Sequence, residues 1–212
     1  MTSFIDFLES RLKLPLPGTN SHLKMTPKVM QKSFRNLTPA ENAKHSAVLV
    51  PLIIFGNDIQ IIFTLRSNKL KSHSGQISFP GGRIEKDEST VDAALRETYE
   101  EIGLPPENIK VIGSLSTLYV PPSNNLIHTF VGLINELPEY NVNSDEVEEC
   151  FTVPLKYFLN PENHQIKQHK LEGYEVVLPY WNVGKPTILW GATSMILREL
   201  LDLYEEFTFE TN

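Results

Sequence analysis

Residues 82–104 read GRIEKDESTVDAALRETYEEIGL, and the punctuation of this stretch sets the frame for the rest of the chain. It runs from loop to helix to stop. Ser89 can cap the free amides of a helix starting at Thr90, and Asp92 stands where a capping box places its acid. Gly103 suits the left-handed residue that ends a helix, and Pro105 and Pro106 forbid continuation. Between these signals Val91, Ala94, Leu95, Thr98 and Ile102 recur at helical spacing, which predicts one buried face.

The charges on this helix are unusual. At about 100° per residue, Glu97 and Glu101 project about 40° apart, with Glu100 beside them. Like charges at this spacing cost a helix roughly a few tenths of a kcal/mol and add nothing to a core. A hard divalent cation, Mg2+ or Mn2+, would neutralise them. Such an ion takes oxygen ligands, binds through one or two carboxylates, and keeps positions for water and phosphate oxygens. Arg96 can brace the cluster through Glu100 or reach the loop acid Glu88. The Gly81-Gly82 pair lets the backbone pass close, so the Gly82 carbonyl can join the ion. An acidic run alone would read as a solvated helix face. Here Gly82, Glu88, Arg96, Glu97, Glu100, Glu101 and Gly103 stand at a spacing that arises by chance on the order of once in 10^8 windows.

That spacing, Gly-x5-Glu-x7-Arg-Glu-U-x-Glu-Glu-x-Gly-U with U apolar, resembles the Nudix box. Leu104 fills the last U position, and Thr98 in the first is a mild departure.

The 212 residues favour one domain with a sizeable core, and 41% hydrophobic with 21% charged residues is ordinary for a globular chain. A formal charge of −7 argues against a nucleic-acid or anionic-membrane partner, so a polyanionic substrate must be met by metal and a local basic patch. Single Cys150 excludes an intramolecular disulfide and reads as a small buried hydrophobe. No apolar run approaches a membrane span, Asp6 and Glu9 interrupt the only apolar stretch near the start, and the final Glu-Thr-Asn is no Ser-Lys-Leu address. A cytoplasmic location is the expectation.

In chain order, residues 3–12 read as a short amphipathic helix, followed by a polar, weakly patterned stretch to His45. We expect residues 1–46 to be an arm packed on a domain of residues 47–212, with a homodimer contact as the alternative. The run AVLVPLIIF at 47–55 reads as a buried strand, turned at Gly56-Asn57-Asp58 into a second at 59–64. Arg66, Lys69, Lys71 and His73 form a basic loop entering the box, where arginine suits bidentate phosphate recognition and lysine acts as a point charge. Strands are expected at 109–120, 127–134 and 150–153, with an acidic loop at 139–149. A turn of helix follows to 160, then a hairpin of 165–169 with 174–179 through Glu172-Gly173, and a final helix at 192–207. Two substantial helices among hairpin-linked strands indicate an α/β sandwich, a mixed sheet between helices.

The resemblance reaches beyond the box. Residues 62–82, IFTLRSNKLKSHSGQISFPGG, look like the upstream signature of the coenzyme A pyrophosphatases among the Nudix hydrolases. Thr64, Arg66, Ser67, Gly75, Phe79, Pro80, Gly81 and Gly82 match it, and Lys71 departs from it by standing in place of an arginine. The segments YVPPS at 119–123 and WGAT at 190–193 are similar too. The resemblance implies an α/β/α sandwich of Nudix type and metal-assisted attack of water on the pyrophosphate of coenzyme A, giving 3′,5′-ADP and 4′-phosphopantetheine.

On this reading Glu97 and Glu101 are the principal ligands of Mg2+ or Mn2+, with Glu100 and the Gly82 carbonyl contributing. Arg96 orients Glu97, and Glu88 pairs with Arg96 or holds water. Arg66, Lys71, Gly75 and Phe79 form the substrate side, with Arg66 and Lys71 meeting the extra 3′-phosphate. Lysine at 71 keeps the charge but loses the planar fork. The general base is Glu97 or a loop acid among Glu146, Glu148 and Glu149. His73, His128, Trp181 and Trp190 read as structural. Another nucleoside diphosphate linked to a group X, such as ADP-ribose, is the alternative substrate. A non-catalytic sensor or an isomerase on the same fold is a further alternative, against which the complete set of box carboxylates speaks.

Overall fold

The computed structural model describes residues 3–29, 38–56, 58–134, 140–171 and 174–211. The box helix, α3 (Thr90–Ile102), forms as its punctuation predicts. The Ser89 hydroxyl accepts from the Asp92 amide, and Gly103 closes the helix in the left-handed region, its N–H donating to the Tyr99 carbonyl. Its buried face is shifted from the expected one: Ala93, Ala94, Thr98, Glu101 and Ile102 are buried, whereas Val91 and Leu95 are half-buried. A carboxylate thus takes a core position.

The helix lies on a mixed sheet of eight strands among the described residues. These are β2 (Lys44–Phe55), β3 (Asp58–Arg66), β4 (Ile77–Ser78), β5 (Gly81–Arg83), β6 (Ile109–Ser114), β7 (Leu118–Val120), β8 (Asn125–Ile134) and β9 (Val147–Pro154). The β-branched run forms β2, which pairs antiparallel with β3 and β5 and parallel with β8. Of the predicted turn, Asn57 lies outside the described residues. The expected strand at 109–120 is broken into β6 and β7, with a bulge between Val111 and Gly113. Part of the expected acidic loop, from Val147 on, belongs to β9; Glu139 lies outside the described residues.

Strand alternation sorts the core into two sides. Ala47, Leu49, Ile53 and Ile62 face α3, while Val50, Leu52, Ile61 and Phe63 face the other helices. Those helices are α1 (Phe4–Arg11), α2 (Thr19–Met25) and α4 (Gly191–Thr211). The sheet between them makes the α/β/α sandwich. The predicted hairpin, β10 (His164–Leu171) with β11 (Tyr174–Trp181), joins β1 (Lys28–Val29) in a separate three-stranded antiparallel sheet, and its turn residues Glu172 and Gly173 lie outside the described residues.

The N-terminal segment packs against α4 on this side of the sheet. α2 and β1 were not anticipated, and Phe4, Ile5, Leu8 and Met25 share one core cluster with α4. Glu199, Asp202 and Glu206 line one face of α4 at i, i+3 and i+7. Glu199 accepts from the Gly18 amide at 3.0 Å and meets His22 Nε2 at 3.1 Å. Asp202 accepts from Ser21 at 2.5 Å and Lys24 at 2.8 Å, and Glu206 from Arg11 at 2.7 Å.

Candidate active site

The site assembles where α3 crosses the loop that delivers β5. Gly81 and Gly82 pair with Val48 and Ala47 of β2, which seats both glycines beneath the helix. A Cβ built on Gly82 would lie 2.3 Å from Glu97 Oε2, so only glycine lets that carboxylate rest on the strand. The neighbouring Gly81 N–H donates to Glu101 Oε2 at 3.2 Å. Two adjacent glycines therefore touch the two carboxylates that the box places one turn apart. Gly82→Ala should displace Glu97 and cut kcat/KM by roughly 10^2-fold, the cost of a misplacement near 1 Å. Steady-state kinetics with a thermal melt would check this, and a fully active Gly82→Ala enzyme would remove the close-approach argument.

Arg96 makes both of the contacts that its position offered as alternatives. Nε and Nη2 grip Glu88 at 2.8 and 3.1 Å, Nη1 donates to Glu97 at 3.0 Å and Glu100 at 2.9 Å, and Nη2 also reaches the Arg83 carbonyl at 3.0 Å. Its guanidinium is held well above its usual range, chiefly by Glu88, and its hydrogen bond in turn keeps Glu88 below the ordinary carboxylate range. Burial pushes Glu97 up, against the pull of Arg96. Burial pushes Glu101 up to about 7, against Arg66 and the Gly81 amide, while Glu97 and Glu146 add to the rise. Glu101 is only 1% exposed, and Glu100 lies outward in solvent.

The substrate side differs from expectation. Arg66 is engaged by the carboxylate cluster, with Nη1 donating to Glu101 Oε1 at 3.2 Å. Phe79 is a core residue, 3% exposed and stacked on Phe63 at 5.0 Å between ring centroids. Gly75, at φ +66°, closes the basic loop by donating its N–H to the Arg66 carbonyl at 3.1 Å. Lys69 pairs with Asp145, and Lys71 is exposed without an ion pair among the described residues. Of the three loop acids, Glu148 accepts from Asn68 at 2.9 Å and Glu149 is paired with Lys185. The charge of Glu146 adds to the upward push on both Glu97 and Glu101.

The sequence reading missed Lys185, whose ammonium also sits 4.5 Å over the Phe151 ring, because only packing brings its loop to β9. It also missed the contact between His45 Nδ1 and His128 Nε2 at 3.1 Å on the parallel pair β2 and β8. Trp181 is core, as read, and Cys150 is a free thiol that burial pushes up to about 12.

Among the described residues no three His, Cys, Asp or Glu side chains are gathered into a ready metal cage. Two carboxylates, one half-buried and one buried, against a glycine backbone are the smaller donor set that Mg2+ or Mn2+ requires, with remaining positions left to water and phosphate. The donor set fits such an ion.

The NUDIX domain model matches residues 43–173, and the chain belongs to that family. The mouse peroxisomal coenzyme A diphosphatase is 38% identical over 156 residues, covering 71% of this chain, and this chain spans 66% of the mouse protein's length. An uncharacterized Nudix hydrolase of Photorhabdus laumondii is 33% identical over 202 residues, covering 94% of this chain and 97% of that protein. The crystal structure of a Nudix hydrolase from M. smegmatis shares the fold at a TM-score of 0.53 and 14% identity, covering 79% of this chain and 87% of the other.

Proposed function

We propose that this chain is a Nudix pyrophosphohydrolase that cleaves coenzyme A and its derivatives into 3′,5′-ADP and 4′-phosphopantetheine. The observation that carries the substrate is the 62–82 signature, whose loop runs directly into the two glycines beneath Glu97 and Glu101. The 38% identity to the mouse enzyme supports the same reading.

Glu97, Glu101 and the Gly82 carbonyl would hold Mg2+ or Mn2+, with Glu100 contributing from the solvent side. When bound, the ion supplies Lewis-acid polarisation of the phosphoryl oxygens and lowers the pKa of water. Arg96 keeps Glu97 aimed at Gly82, and Glu88 keeps Arg96 in place. Water adds to one phosphorus as the bridging P–O bond breaks. Glu146 accepts the proton of that water, since the other two loop acids, Glu148 and Glu149, are tied to Asn68 and Lys185. Lys71 offers its charge to the 3′-phosphate.

The test is a Mg2+-dependent assay on coenzyme A, dephospho-coenzyme A and ADP-ribose in parallel. Coenzyme A should be preferred, and Glu146→Gln should lower kcat by about 10^2- to 10^4-fold with little change in KM. Preference for ADP-ribose would overturn the substrate. An unimpaired Glu146→Gln enzyme would return the base to Glu97.

A further inference from the structure

Arg66 sits at a discontinuity. β3 pairs with β9 in regular register from Gln60 to Leu65, and the register slips between Leu65 and Arg66. Such a bulge re-aims the side chain that follows it. The Arg66 backbone is then fixed from the loop side, its N–H donating to the Gln76 carbonyl at 2.9 Å and its carbonyl accepting from Gly75 at 3.1 Å. The side chain is mostly shielded, and Nη1 ends 3.2 Å from Glu101 Oε1. The other oxygen of that carboxylate, Oε2, is held by the Gly81 N–H. Both oxygens of Glu101 therefore have a donor, one from the signature loop and one from the box strand.

We propose that Arg66 is a positioning residue for the metal ligand Glu101, and that the arginine of the upstream signature serves the metal site rather than the 3′-phosphate. The proposal rests on the metal-site reading above. The side-chain hydrogen bond that this guanidinium makes goes from Nη1 to the carboxylate of Glu101, while Nε is buried without a hydrogen-bond partner among the described residues. With Oε1 and Oε2 each accepting from a donor, the carboxylate group is held in place while each oxygen keeps a lone pair for a cation. Loss of such an outer partner costs 10- to 100-fold in metal affinity in metal sites generally. The specificity for coenzyme A would then fall to other cations of the loop, Lys71 first.

The experiment measures Mn2+ binding to the full chain by calorimetry, without substrate, for the parent, Arg66→Ala, Arg66→Lys and Glu101→Gln. Thermal melts of each identify any variant that fails to fold. The same proteins are assayed on coenzyme A and dephospho-coenzyme A. We expect Mn2+ affinity to fall about tenfold in Arg66→Ala and severalfold in Arg66→Lys, approaching the loss in Glu101→Gln. The ratio of kcat/KM between the two substrates should be unchanged. If Arg66→Ala does not fold, Arg66→Lys carries the test. Unchanged Mn2+ affinity in a folded Arg66 variant, or erosion of the substrate ratio, overturns the proposal while leaving the metal site standing. A parent protein that binds no Mn2+ overturns both.

Discussion

Glu101→Gln should lose about 10^3-fold in kcat/KM, roughly 4 kcal/mol at the transition state, while remaining folded. The residue is almost fully buried on the core side of α3, yet its neighbours treat it as a site residue. Arg66 and the Gly81 amide hold its two oxygens, and burial pushes the carboxyl up to about 7. On the proposed reading a group this costly to bury is kept for the metal ion, since a paired buried charge is weak support for a fold. Glutamine keeps the shape and removes the anion. The metal-free variant should therefore melt no lower than the parent at pH 8. Steady-state kinetics with Mg2+ and a pair of melting curves check both halves. Parent-like turnover would remove Glu101 from the ligand set.

The largest stability effect should come from Glu199→Ala, which we expect to cost about 3–5 kcal/mol. The carboxylate is fully buried and accepts from the amides of Gly18 and Ser116 as well as meeting His22. Truncation orphans those donors and opens a void. Burial alone would raise the Glu199 carboxyl, but the bonds from His22, Ser116 and Gly18 outweigh it and hold it below its ordinary value. Asp202 is lowered in the same way by Lys24, Ser21 and Arg198. With folded pKa values depressed, both contribute stability that is present above the ordinary carboxylate range. That stability is lost as pH falls through the depressed values. Urea melts between pH 7 and pH 3 should show a steeper acid loss for the parent than for Glu199→Ala. Parallel acid profiles would remove Glu199 from that account.

The box was readable because its constraints are local. Ser89, Gly103 and the spacing of Glu97 and Glu101 act within one helix, and Gly82 announces a close approach. Arg96 was readable for the same reason, since Glu88 and Glu100 lie within its reach along the chain. The contacts of Arg66 and Phe79 were not readable because their partners, Glu101 and Phe63, lie on other elements, and a bulge and a ring stack leave no mark in a short pattern. α2 went unseen because its seven residues, TNSHLKM, carry little apolar period. They are held instead by Glu199 and Asp202 from the far end of the chain.

The parallel pairing of β2 with β8 also bears on how the protein reaches its folded state. His45 and His128 touch across this ladder at a sequence separation of 83 residues. Antiparallel hairpins such as β2 with β3 close short loops, but this seam must wait for the whole intervening segment to be made and gathered. The intervening segment contains the box. On a ribosome, α3 and the glycine strand would emerge before β8 exists to complete the sheet, with the β2 edge that β8 pairs still open. Refolding should therefore be limited by this long-range closure, and the interval before it is when the chain is most exposed to aggregation.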